Sequence, residues 1–442
     1  MKNTIYALST LYGKSAIGVI RVSGDDALNS LHILTKKKSL NPNKATLCNL
    51  YDSNGNILDK AIVIYFEKNK SYSGEHLVEY HIHGSLSIIN DMLNILSNIA
   101  GHRLAQKGEF SKQALLNNKL NLLEVESVLD LINAETSIQR QQALRGLGGD
   151  INTKYNLWYE ELMEALALLE STIDFSDQDI PDNLFDLVDS KVKKILNLIK
   201  LEIEKAIKSK INKIREGFSI AIIGAPNVGK SSLINYLSNR DVAIVSSIAG
   251  TTRDIIEVFL DIEGFAVSLF DSAGIRISQD EIESIGIKKA LNKAQEADIK
   301  IVVIDATNMV SYEEIKSQID ENTFVLCNKL DLVLNKPSLP LDNVYWVSVE
   351  KNIGLDIFKK DLAKRLSDIS GIKESPLILN QRHKEILTNC AKSIKSYCED
   401  NQDITIKAFY LREAVNAFGL LFGKLNVEDL LGVIFNKFCI GK

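Results

Sequence analysis

No apolar run in this 442-residue chain approaches the roughly 20 residues that cross a bilayer, so no membrane span is expected. The opening, MKNTIYALSTLYGK, lacks a long apolar core and a clear cleavage site, so export is not expected and the chain reads as cytoplasmic. Cysteine is scarce. Its five residues (Cys48, Cys327, Cys390, Cys398, Cys439) are scattered, odd in number and without metal-ligand spacing, which suits a reducing compartment. Positive charge is not in excess either: a net charge of −5 argues against a uniformly basic nucleic-acid binder. Charge is uneven, however. Between Lys191 and Arg215 nine basic residues stand against Glu202 and Glu204, either the solvated face of a long helix or a surface that meets an RNA backbone.

What remains is the composition of a soluble protein, 45% apolar and 25% charged, too long for a single core. Residues 1–118 read as mixed α/β, with strands over Ser15–Val22, Ala61–Phe66 and Leu77–Ile82 and a helix over Ser85–Ile99. From Leu120 the period becomes helical, through Leu122, Val125, Leu129 and Ile132, then Trp158 to Leu169, then Val192 to Ile211. Between Phe218 and about Ser370 short apolar runs alternate with helical patterns, the signature of a doubly wound sheet. After Pro376 helices return over Arg382–Tyr397, Ile406–Gly419 and Val427–Phe438. The expected organisation is an N-terminal domain over 1–118 and a helical domain in two parts, 119–214 and 371–442, with an α/β unit over 215–370 inserted between them.

Chemistry concentrates in the insert. Gly224-Ala-Pro-Asn-Val-Gly-Lys-Ser231 follows the apolar run Phe218–Ile223 and precedes a helical pattern, the arrangement of a phosphate-binding loop. Backbone N–H groups from Asn227, Val228 and Gly229 through Ser232 face phosphates, Lys230 reaches their outer oxygens, and Ser231 can hold Mg²⁺. Asp271-Ser272-Ala273-Gly274 ends the next apolar run, where Asp271 can approach magnesium through water and the Gly274 N–H can sense the γ-phosphate. Asn328-Lys329-Leu-Asp331 ends another. The Asp331 carboxylate would select guanine over adenine, while Asn328 and Lys329 brace the base and the loop. Ser348 ends the strand after that, where a base-contact loop belongs. Three motifs in order, each behind its own strand, point to GTP. In Gly250-Thr-Thr-Arg-Asp254 a threonine can complete the magnesium shell; Thr252 is preferred to Thr251, although the sequence leaves them tied. Ile275 stands where many GTPases carry a water-orienting glutamine. Asp280, Glu281 or Glu283 could supply a carboxylate instead, and Asn227 an oxygen to a monovalent cation.

With the flanking motifs Gly18-Val-Ile-Arg-Val-Ser-Gly24, Gly108-Glu-Phe-Ser, Leu116-Asn-Asn-Lys-Leu-Asn-Leu122 and Phe438-Cys-Ile-Gly-Lys442, nearly the whole chain resembles the tRNA-modification GTPases MnmE or TrmE. The resemblance implies a folate-binding and dimerising N-terminal domain, a helical domain and an inserted Ras-like GTPase domain. It implies K⁺ beside the nucleotide, held by Asn227 and by oxygens near Ser246, Ile248 and Thr251 in the segment that runs on through Ser247, Ala249 and Gly250. Mg²⁺ would touch Ser231 and Thr252, and Glu283 would position the attacking water. Arg21, Glu79, Lys119 and Lys442 would contact 5-formyltetrahydrofolate or a related one-carbon tetrahydrofolate. Cys439 would be a catalytic thiol or a structural part of the folate loop.

The resemblance further implies a homodimer that works with a flavin-containing MnmG-like partner on the wobble uridine of certain tRNAs, GTP turnover driving rearrangement of the complex. The chain departs from the family in reading Asp-Ser-Ala-Gly for Asp-Thr-Ala-Gly, in Val245-Ser-Ser-Ile-Ala before Gly250, in its opening Tyr6–Tyr12 segment, and in lacking an aspartate within Asn117–Asn121. None of these removes an assigned role. A ribosome-assembly GTPase bound to rRNA is the alternative; it would share the nucleotide motifs but would need neither the N-terminal contacts nor the tail. His81 and His83 share a strand face without a third ligand, which favours a pocket wall or packing over a metal site.

Overall fold

The computed structural model describes residues 4–174, 184–208, 210–240, 257–271, 296–308, 312, 316, 319–336, 344–372, 377–399, 403–423, 438–439 and 441. They divide into two compact units. The first comprises the described residues of Met1–Leu129, Gly146–Tyr159 and Val415–Lys442; the second comprises those of Asp130–Arg145 and Glu160–Ala414.

The first unit is built on a six-stranded sheet of β1 (Thr4–Leu8), β2 (Ser15–Ser23), β3 (Thr46–Tyr51), β4 (Ile57–Phe66), β5 (Leu77–Gly84) and β6 (His102–Leu104), in the order β3-β4-β5-β2-β1-β6. Its pairs are antiparallel except β1 with β6. Alternation along β4 puts Ala61, Val63 and Tyr65 on the face that α1 (Ala27–Thr35) and α2 (Leu86–Ser97) cover with Leu31, Leu34, Ile89, Met92 and Leu96. Each such side chain contributes about 1.5–3 kcal/mol by burial. On the opposite face Ile5 and Ala7 of β1 pack under Phe110 of α3 (Glu109–Leu116).

The end of the chain returns to this unit. Phe438 is buried with Leu115, Leu122, Val125 and Leu129, the last three on α4 (Leu122–Ile132). The Leu122 N–H donates to the Phe422 carbonyl at 3.2 Å. Tyr155, near the start of α6 (Asp150–Asp174; α5 is Ser137–Gly146), sets its ring edge-on to Phe418 at 5.9 Å.

The second unit holds α7 (Leu184–Lys208), α8 (Ile211–Glu216), α11 (Gln381–Glu399), most of α12 (Ile404–Gly419) and a second six-stranded sheet. Helices from before and after the sheet pack together, as an insertion requires. Glu202 of α7 accepts the Leu377 N–H at 2.8 Å, and the Tyr397 hydroxyl of α11 donates to Asp189 of α7 at 2.6 Å.

The sheet's strands are β7 (Phe218–Ile223), β8 (Glu257–Ile262), β9 (Phe265–Asp271), β10 (Ile299–Asp305), β11 (Thr323–Asn328) and β12 (Val344–Trp346), in the order β12-β11-β10-β7-β9-β8. All pairs are parallel except β8 with β9. Leu233 and Leu237 of α9 (Lys230–Arg240) and Phe358 and Leu362 of α10 (Leu355–Ser370) cover one face. Ile223, Phe270, Val302, Ile304 and Val325 fill the other. Burial on both faces explains why the inner strands β7, β10 and β11 read as largely continuous apolar runs. The central strand β7 has neighbours that continue in opposite directions along the chain, so ligand chemistry belongs at the carboxyl ends of β7, β9, β10 and β11.

Candidate functional site

The loop after β7 turns at Asn227, whose exposed side chain stands on a left-handed backbone with φ 63°. Gly229 follows at φ 103°, and a Cβ there would lie 2.2 Å from Asn328 Nδ2, so only glycine allows the loop to approach β11. Lys230 opens α9 and is 5% exposed; its Nζ donates to the Gly224 carbonyl at 2.9 Å and the Ala225 carbonyl at 2.7 Å. Ser231 and Ser232, in the first turn of α9, are exposed. The loop therefore offers a buried cation and a helix N-terminus to an anion.

Asn328, at the end of β11, joins the nucleotide loop to the loop beyond β12. Its Nδ2 donates to the Val228 carbonyl at 2.8 Å and its Oδ1 accepts the Val349 N–H at 3.1 Å. Lys329 continues in the left-handed region, φ 65°, and its Nζ donates to Asp305 Oδ2 at 2.5 Å at the end of β10. Burial raises the Asp305 carboxyl, but hydrogen bonds from Lys329 and Thr307 together hold it below the ordinary carboxylate range. Leu330 donates to the Val347 carbonyl at 3.0 Å, which fixes a short helical turn and leaves Asp331 exposed at the rim. Ser348 is fully buried, its hydroxyl accepting the Lys351 N–H at 3.1 Å. Asp271 ends β9 two registers beyond the pairing of Ile220 with Leu269, so its backbone is in line with the strand ends that carry the other motifs.

The side chain of Asp271 lies outside the described residues, as do Ser246, Ser247, Ile248, Ala249, Gly250, Thr251, Thr252, Ser272, Ala273, Gly274, Glu283 and Lys442. The expected helix over Val427–Phe438 also falls there for all but its last residue.

In the first unit Arg21 of β2 stands opposite Glu79 of β5. Its Nε and Nη2 donate to Glu79 Oε1 at 3.0 and 2.8 Å. The guanidinium lies 5.6 Å from the ring centres of both Tyr72 and Phe110. Burial raises the Tyr72 hydroxyl, partly offset by its bond with Ser111 and by the Arg21 charge. Lys119 is exposed, its Nζ on the Asn69 carbonyl.

The tail reaches the same unit. The Gly108 N–H, just before α3, donates to the Cys439 carbonyl at 3.4 Å, and Ser9 Oγ donates to the Gly441 carbonyl at 3.0 Å. Gly441 lies at φ 100°, where a Cβ would be 2.3 Å from the Leu8 carbonyl oxygen. Cys439 itself is exposed.

Several contributors were given no role of their own from the sequence. Tyr72 and Phe110 flank Arg21 only because α3 lies over β1 and β2. Glu109, inside the Gly108-Glu-Phe-Ser motif, takes the Arg103 guanidinium and the Gln106 N–H, and these bonds hold its carboxyl below the ordinary range against the opposing effect of burial. His83 pairs with Asp59 at 2.8 Å, whereas His81 lies beside Glu79, and no acidic, His or Cys cluster among the described residues could hold a metal ion.

The basic run resolves largely into ion pairs. Lys191, Lys193, Lys194, Lys205, Lys210, Lys213 and Arg215 meet Glu164, Asp189, Glu161, Glu202, Asp298, Asp298 and Asp130, respectively. Seven of its nine cations are thus locally neutralised, which favours the solvated-face reading over an RNA surface. No helix among the described residues is long and apolar enough to cross a membrane.

Residues 4–119 match the family model described as GTP-binding protein TrmE N-terminus, and residues 122–439 match the MnmE helical domain. A tRNA modification GTPase MnmE of Rickettsia bellii (strain OSU 85-389) is 43% identical over 446 residues, covering 99% of this chain and 100% of that protein. The protein of the same name from Rickettsia rickettsii (strain Sheila Smith) is 42% identical with the same coverage. Among solved structures, the G domain of the T. maritima FeoB iron transporter is 23% identical and covers 33% of this chain and 97% of its own, at a TM-score of 0.26 that carries no argument. Matched from end to end by full-length relatives and by both domain models, the chain belongs to the tRNA modification GTPase MnmE family.

Proposed function

We propose that this chain is a potassium-activated GTPase that works with an MnmG-like flavoprotein to install an aminomethyl or carboxymethylaminomethyl group on carbon 5 of the wobble uridine of certain tRNAs. The observation that carries the nucleotide half is Asn328, which ties the phosphate loop at Val228 to the base loop at Val349 through one buried side chain. Family membership along the whole chain supports the tRNA half, since the relatives carry tRNA modification in their name. A cytoplasmic homodimer, with domains at 1–118, 119–214 with 371–442, and 215–370, completes the reading.

Lys230 would exchange its two loop carbonyls for phosphate oxygens, and the loop N–H groups about Gly229 would join it in cradling them. Asp331, presented at the rim, would accept the two N–H donors of a guanine edge. Ser231 and Thr252 would hold Mg²⁺, with Asp271 reaching it through water. Asn227 would hold K⁺ with oxygens near Ser246, Ile248 and Thr251. A bound cation of this kind neutralises charge that develops on the transferring phosphoryl group. Glu283 would orient the attacking water. In the first unit Arg21, Glu79 and Lys119, with Lys442 from the tail, would hold a one-carbon tetrahydrofolate; the tail's bonds to Gly108 and Ser9 support its membership in that site. Cys439, exposed beside Gly108, is available for a thiol role there.

The test is genetic and chemical. Replacing the chain in its host with the Lys230→Ala variant should remove the modified wobble nucleoside from digested bulk tRNA. Retention of that nucleoside, with a ribosome-assembly defect in its place, would favour the rRNA alternative.

A further inference from the structure

In the first unit a buried polar atom lies beside Glu79 without a hydrogen bond. Nε2 of His81 is buried without a hydrogen bond, yet it lies 3.5 Å from Glu79 Oε2. That carboxylate gives its other oxygen, Oε1, to both Arg21 donors. The register sets the neighbours. His81, its side chain 31% exposed, stands between Val19 on β2 and Ile62 on β4, and Glu79 is the next residue along the same face of β5, which places Nε2 on the carboxylate side. His83, the other histidine of this face, is engaged by Asp59 and does not compete.

The chemistry of this pair admits one stable protonation at Nε2. A bare lone pair there would oppose a carboxylate oxygen and remain a buried, unsatisfied acceptor, which is costly. A proton on Nε2 turns the same two atoms into donor and acceptor. A movement of about 0.6–0.8 Å then makes a charge-assisted bond.

We infer that His81 is a positioning residue of the N-terminal ligand site: its Nε2–H holds Glu79 Oε2 while Arg21 holds Oε1, so the side chain is fixed as an acceptor for the amino-heterocycle edge of a folate. The role rests on the tetrahydrofolate reading of that site. It deepens that reading by naming what keeps the acceptor in place from the side away from Arg21. A ligand donor then meets a carboxylate already oriented, without the entropy cost of ordering it on binding.

Two measurements on the full chain separate the two claims. The first needs no ligand. At about pH 8, above the ordinary histidine range, the ring ¹⁵N shifts of the labelled protein should give His81 as the Nε2–H tautomer, the signal being assigned by its loss in His81→Gln. The second is calorimetric binding of 5-formyltetrahydrofolate. His81→Leu should weaken it about tenfold, the scale of one lost hydrogen bond to a charged group, while His81→Gln, which retains a donor, should stay within about threefold of wild type. A purely structural role would not let glutamine rescue what leucine loses. The Nδ1–H tautomer, or wild-type affinity in His81→Leu, would overturn the proposal for His81 while leaving the folate reading intact. No folate binding by wild type in spite of the Nε2–H tautomer would overturn the folate reading, and the role of His81 with it.

Discussion

Asn328 shows how much one side chain can hold when it is buried. At 5% exposure it bonds the Val228 carbonyl and the Val349 N–H, and the close approach of Gly229 makes the first bond possible. Asn328→Ala leaves both backbone groups short of a partner, so it should lower thermal stability by about 2 kcal/mol and weaken GTP binding at least about tenfold. Calorimetric melts and nucleotide titration check the two numbers separately. Gly229→Ala meets a harder obstacle, since its Cβ would fall 2.2 Å from Asn328 Nδ2 at a φ of 103°. It should abolish measurable GTP binding while the N-terminal unit, which does not contain this loop, keeps its fold and the folate affinity proposed for it. Normal GTP affinity in this variant would show that the loop reaches a different conformation.

At the scale of elements, Asp298 connects the foot of the nucleotide sheet to the linker that enters it. Placed just before β10, it accepts the Ser219 N–H at 3.0 Å and the Ser219 hydroxyl at 2.9 Å, and it pairs with Lys213 at 2.9 Å and Lys210 at 3.2 Å. Burial raises its carboxyl, but the bonds from Lys213 and Ser219 outweigh this and hold it below the ordinary range. A carboxyl depressed in the folded state stabilises the fold above its unfolded value, near pH 4, and loses that contribution as pH falls through the folded value. Asp298→Ala should therefore cost about 2–3 kcal/mol at neutral pH and progressively less in acid. Denaturant midpoints measured across that range test both the size and the sign.

Elements also show what the chain reveals unaided. The strands β7, β9 and β11 match the apolar runs read from the sequence because burial on both faces makes them continuous. By contrast β1, TIYAL, is short and buried at four of its five positions between β2 and β6, so it shows neither alternation nor length. The motifs were legible because phosphate and base recognition fixes residue spacing along the chain. The aromatic pair about Arg21 and the partners of the basic run were not. Both depend on side chains brought together from distant segments, such as Tyr72 with Phe110 and Lys213 with Asp298.

For the whole molecule, the chain's organisation follows from where its two ends pack. Phe438 is buried on α4, and Gly441 lies against Leu8, so the last residues belong to the N-terminal unit although more than 400 residues separate Ser9 from Gly441. Truncation before Phe438 should therefore loosen the first unit and weaken folate binding without changing GTP affinity; limited proteolysis and the two titrations distinguish these effects. In the proposed function a monovalent cation at Asn227 activates the nucleotide site, and the homodimer would bring two nucleotide domains together for hydrolysis. The most direct measurement is GTP hydrolysis by the purified protein in potassium chloride and in sodium chloride at equal ionic strength, over a range of protein concentration. The account predicts much faster turnover in potassium, rising with protein concentration and lost in Asn227→Ala. Equal, slow rates in both salts at every concentration would contradict it.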